Sequence, residues 1–134
     1  MSDGSGAGVS DLDSLLAGMR PNLRDGRFVF VSLADADAAG IPWEAAVREA
    51  EGMTLVVRQT EADRRELQYD YVAAWITLEV HSALDSVGLT AAVATRLAAV
   101  GLSCNVIAGY YHDHLLVDYD DRLRAMQALQ NLSS

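Results

Sequence analysis

Cysteine is nearly absent from this chain: Cys104 stands alone, so no internal disulfide can form and the disulfide framework of a small secreted domain is excluded. Proline is scarce, with Pro21 and Pro42 the only two, which leaves long stretches free to form helices and strands. Positive charge is also in deficit. Ten basic side chains face 19 acidic ones for a formal net charge of −9, a field that repels phosphate backbones and argues against a nucleic-acid partner. Long apolar runs are missing: Val29–Val31, Leu55–Val57 and Leu115–Val117 fall far short of the roughly 20 residues that span a bilayer, so no transmembrane helix and no membrane partner is expected. Residues 1–10 are small and polar, with no basic group followed by an apolar stretch. They read as a flexible tail rather than a signal peptide, and with the lone cysteine they point to the cytosol.

What remains is apolar enough to fold. Of 134 residues, 51% are hydrophobic, sufficient for one compact domain or two small units sharing a core. Leu12, Leu15, Leu16 and Met19 recur at helical spacing, and Pro21 stops that helix before the turn signal Asp25-Gly26. Strands are expected over Arg27–Leu33 and Met53–Gln59, with Ala34–Gly40 as loop, a strand over Ile41–Arg48, and a short, exposed helix over Glu61–Leu67. In the second half, Ala74–Val80 alternates with a period of two and reads as a half-buried strand. Leu89, Val93, Leu97 and Val100 form one helical stripe ending at Gly101, a C-terminal cap. Ser103–Ala108 and His114–Tyr119 read as a hairpin about Gly109, and a last helix follows with Leu123, Met126 and Leu129 on its buried face.

From residue 74 the order is strand, helix, strand, strand, helix, most of a ferredoxin-like βαββαβ unit. The first half reads as a rough second copy. The fold class is therefore α+β, and the division expected is a tail at 1–10, a divergent N-terminal unit at 11–73 and a C-terminal unit at 74–134.

The stretch WITLEVHSALDSVGLTAAVATRLAAVGLSCNVIAGYYHDHLLV, Trp75 to Val117, resembles the C-terminal unit of small bacterial tandem ACT-domain proteins. LLAGMRPNL, RFVFVSL and EGMTLVV resemble their divergent N-terminal unit. The resemblance implies two ACT-type units, homodimer formation and amino-acid binding at domain interfaces. It extends to the regulatory part of aspartokinases, but no phosphate-binding loop of the GxxxxGK[ST] kind is present and there is no room for a kinase domain. A non-catalytic regulatory or sensor protein, with no cofactor and no metal, is the expectation.

In such domains the ligand lies beside the loop from first strand to first helix. The matching positions are Ser82, Asp85, Ser86, Val87, Gly88, Leu89 and Thr90, with Asn105 and Ile107 on the facing strand. A glycine permits close approach, the free amides of a helix start favour a carboxylate, and Asp85 can pair with an amine. The same residues also suit a plain structural reading, in which Ser82, Asp85 and Ser86 cap a helix and Gly88 makes a turn. His112 and His114 have the spacing of a metal pair on a strand, but two ligands are not a site. Cys104 reads as a buried structural residue, and Trp43 and Trp75 as core or interface anchors. Two other classes stay open: an interaction subunit pairing through its sheets, and a small enzyme using Asp85, His112 and His114 in acid-base chemistry.

Overall fold

The computed structural model describes residues 12–80 and 88–133. The chain divides into two compact units, Asp25–Ala74 and a second built from the residues before and after it.

In the unit Asp25–Ala74 the order is β2 (Phe28–Leu33), α2 (Asp35–Ala38), β3 (Ala45–Glu49), β4 (Gly52–Arg58), α3 (Gln59–Arg64) and the first residues of β5 (Val72–Glu79). The strands lie β3-β4-β2-β5, every pair antiparallel. Val29, Val31 and Leu33 sit opposite Val57, Leu55 and Met53, so one sheet face is apolar by register. Ala62 of α3 packs onto that face and is fully buried. The β3–β4 turn is tight at Gly52, whose φ of 141° suits only glycine and whose added β-carbon would meet the Leu33 carbonyl oxygen at 2.5 Å. Tyr69 holds the chain leaving α3: its hydroxyl donates to Asp63 at 2.6 Å and accepts from Gln59 at 3.1 Å.

The other unit contains a helix over residues 12–18 (α1), β1 (Arg20–Leu23), the rest of β5, α4 (Leu89–Ala99), β6 (Asn105–Ala108), β7 (Asp113–Asp118), a 3-10 turn over Tyr119–Asp121, and α5 (Arg122–Ser133). Its strands lie β1-β5-β7-β6. Residues 12–24, grouped with the N-terminal half on sequence grounds, thus pack with the C-terminal half, where β1 runs antiparallel to β5 and supplies the fourth strand. Each unit is a βαββαβ arrangement of ferredoxin-like type.

Several expectations need correction. Pro21 does not merely stop a helix; it lies within β1, and an outermost strand is where a residue without an N–H is tolerated. Ala34–Gly40 is not all loop, because Asp35–Ala38 makes one helical turn with Asp35 and Asp37 at its start. β5 is not half-buried: Ala73, Ala74, Trp75 and Ile76 are consecutive buried residues, so both faces of the strand are covered. On α5 the buried face is Ala125, Ala128 and Leu129, whereas Leu123 is 67% exposed. Leu123 and Leu129 are six residues apart, about 120° around a helix, so they do not share a face; the 3-10 turn before α5 is capped by the Asp118 carboxylate accepting from the Asp120 amide at 2.9 Å. Trp43 is 55% exposed and is no core anchor. No helix among the described residues is long and apolar enough to cross a membrane.

The reassigned face of α5 is testable by substitution. Leu129→Ala should destabilise the protein by about 2–5 kcal/mol and Leu123→Ala by less than about 0.5 kcal/mol in denaturant unfolding. Equal costs would contradict the observed packing.

Candidate functional site

Helix α4 begins where the expected ligand loop ends. Gly88 is its N-cap, in the left-handed region with φ 100° and ψ −25°, and it makes no side-chain cap. A β-carbon there would press on the Leu12 side chain at 3.2 Å. The Gly88 carbonyl accepts from Ala92 at 2.8 Å, so the helix is properly started while the amides of its first turn receive no side-chain cap from Gly88. Leu89 is buried, leaving its backbone amide as the group it can offer a ligand. Thr90 is exposed and its hydroxyl donates to the Asp113 carboxylate at 3.4 Å. The far end of α4 closes as its sequence foretold: Gly101 has φ 80°, the Gly101 amide bonds to the Ala98 carbonyl at 3.0 Å and the Leu102 amide to the Leu97 carbonyl at 2.9 Å.

Asn105 and Ile107 lie two residues apart on β6, opposite Leu116 and His114. Directly opposed residues of an antiparallel pair share a face, so Asn105 and Ile107 stand on the face that carries His114. Asp113, one residue away along β7, projects to the other face. Thr90 at the helix start and Ile107 on the strand therefore meet the same end of the hairpin from opposite faces. Ser82, Asp85, Ser86 and Val87 lie outside the described residues.

Sequence reasoning missed the polar cluster next to these strands. The Trp75 indole N–H lies 3.1 Å from the Thr77 hydroxyl and 3.3 Å from His114 Nδ1, and Thr77 and His114 are themselves 3.0 Å apart. The Trp75 and His114 rings are tilted at 5.2 Å, and the Arg24 guanidinium stands 4.9 Å over the indole. The indole N–H donates into the Thr77–His114 pair, and the direction of the bond between Thr77 and Nδ1 follows the imidazole tautomer. Burial lowers the His114 pKa below its ordinary value, His112 and Arg24 push the same way, and Asp113 opposes them. The one signal in the sequence was Trp75 and Thr77 sharing a strand face; the histidine opposite needed the register.

His112 is not on β7 but in the turn before it, where its carbonyl accepts from the Gly109 amide at 2.9 Å. The expected strand spacing with His114 therefore does not occur, and no cluster of three metal-ligating side chains is found among the described residues. Cys104 is half-buried, and burial pushes its thiol pKa up, away from the thiolate that a nucleophile needs.

Comparison with known proteins bears on the family and the fold. ACT domain models match residues 7–74 and 71–131. No curated protein sequence matches. A crystal structure of a protein of unknown function from Vibrio cholerae, described as a possible transport protein, is 42% identical over 95% of this chain and 99% of its own, with a TM-score of 0.86. An Agrobacterium tumefaciens protein is 20% identical over 86% of this chain and 89% of its own, at a TM-score of 0.66. The regulatory subunit of aspartate kinase from Thermus thermophilus is 10% identical over 84% and 95%, at 0.62. The last two share the fold.

The His114 cluster predicts a pH effect. With the folded pKa below the unfolded value of about 6.5, the unfolded chain binds more protons in between, so stability is complete above that pH and declines as pH falls through the folded pKa. Unfolding of wild type and His114→Gln from pH 8 to pH 5 should show a steeper acid loss in wild type. Parallel curves would refute the assignment.

Proposed function

This chain belongs to the ACT-domain family, with two units in tandem, and we propose that it is a non-catalytic regulatory or sensor protein that binds an amino acid or a related metabolite. The observation that carries this reading is the start of α4. Gly88 in its left-handed conformation leaves no side chain over the first turn, and the first-turn amides lack a side-chain cap from it. Such a helix start favours an α-carboxylate by direct hydrogen bonds and by the helix dipole. Leu89 contributes backbone and Thr90 a hydroxyl on one face of the β6–β7 hairpin, and on its opposite face Asn105 offers a paired donor and acceptor beside Ile107. Ser82, Asp85, Ser86 and Val87 complete the site in this reading, Asp85 opposite the ligand's amine. Regulation then follows from differential binding: a ligand that prefers one arrangement of loops or of partner copies shifts the population toward it.

A specific surface feature supports pairing between copies as well. β3 is the outermost strand of its unit, and Trp43 and Val47 beside and on it are each 55% exposed. Exposed apolar residues at a sheet edge favour association, and a two-fold homodimer is the commonest form it takes.

A thermal-shift panel of amino acids and related metabolites tests the reading. One compound at about a hundred times its dissociation constant should stabilise the fold by about 2.7 kcal/mol. The hit should vanish in Gly88→Val and weaken in Asn105→Ala, an exposed substitution that leaves the fold intact. A silent panel, or a hit unaffected by both changes, would overturn the reading.

A further inference from the structure

A groove of about 570 Å3 opens beside β1, within the size range of small-molecule sites. Its lining is mainly polar, with Arg20, Asn22, Glu79 and Gln130, and Ala17 adds a small apolar surface; Met19 is buried, and Pro21, next to Arg20 on the strand, projects to the opposite face. None of these belongs to the Gly88–Thr90, Asn105 and Ile107 set.

Arg20 and Glu79 are direct partners in the β1–β5 ladder, so both side chains emerge on one face, a strand spacing apart. Among the described residues they do not form an ion pair with each other. Glu79 instead accepts from the Asn22 side-chain amide at 3.3 Å, which orients its carboxylate. A positive fork and a negative oxygen pair thus flank one open groove, and neither charge is neutralised by the other. That arrangement suits a ligand carrying both signs. Guanidinium binds a carboxylate in a planar two-point contact, and Glu79 takes an ammonium. A purely anionic ligand such as phosphate would work against the −9 charge of the chain, whereas a zwitterion has no net charge to be repelled.

We propose that this groove is a second small-molecule site, which takes a free α-amino acid, carboxylate on Arg20 and ammonium on Glu79. It stands independently of the site at the start of α4.

The experiment is a titration of the 15N-labelled full chain with L-leucine and with L-methionine, following the side-chain amide signals of Asn22 and Gln130. N-acetyl-L-leucine, which lacks the ammonium, and L-leucinamide, which lacks the carboxylate, serve as controls. Saturable shifts at Asn22 and Gln130 are expected, weakened roughly tenfold or more in Arg20→Gln, in Glu79→Gln and with either blocked compound. Both substitutions are at exposed positions, so the signals of the buried core report that folding is intact. No shift at Asn22 and Gln130 with either amino acid overturns the proposal. So does equal binding of a blocked compound. Shifts confined to Gly88–Thr90, Asn105 and Ile107 would overturn it too, while supporting amino-acid binding at α4.

Discussion

The burial of β5 on both faces is the constraint on which the rest depends. Ala73, Ala74, Trp75, Ile76 and Leu78 are all buried, a run that cannot sit at a solvated sheet face. The strand closes one βαββαβ unit with Val72 and Ala73, paired to β2, and opens the next with Ile76 to Glu79, paired to β1. Because the period of a strand is two, its register decides every side chain's face at once. It places Trp75 and Thr77 on the face reached by His114, and Glu79 opposite Arg20. A one-residue slip would exchange these with Ile76 and Leu78 and dismantle both the polar cluster and the rim of the groove.

Much of the fold was legible in the residues because local signals agreed with one another. The stripe Leu89, Val93, Leu97 and Val100 with Gly101 behind it could be read as a helix with its end; the first three are buried, and Val100, half-buried, is the C-cap. Val29, Val31, Leu55 and Val57 were equally plain. Failures came where a tertiary partner overrode a local rule. Pro21 speaks against a strand until β5 is known to lie on one side of it only. On α5 the buried set Ala125, Ala128 and Leu129 follows the three-and-four spacing, and the larger side chain of Leu123, six residues from Leu129, drew the expected face away from the two alanines.

The candidate site was legible in part and for a different reason. Gly88 stood out because a glycine before an amphipathic helix implies an unusual backbone, and its φ of 100° is such a conformation. Asn105 and Ile107 could be placed on a strand but not on a face, since the face depends on pairing with β7. The cluster of Trp75, Thr77 and His114, and the rim of Arg20 and Glu79, join residues 37 to 59 positions apart. Only the sheet register brings them together, so beyond the shared face of Trp75 and Thr77 the spacing carried no trace of either.

In the proposed reading, the start of α4 and the groove beside β1 each offer groups suited to a free amino acid, one through helix amides and one through opposite charges on a ladder. Equilibrium dialysis of the full chain against a mixed extract of small metabolites, read by mass spectrometry, tests the central claim most directly. The account predicts enrichment of at least one amino-acid-sized compound on the protein side. A folded protein that enriches none would contradict it.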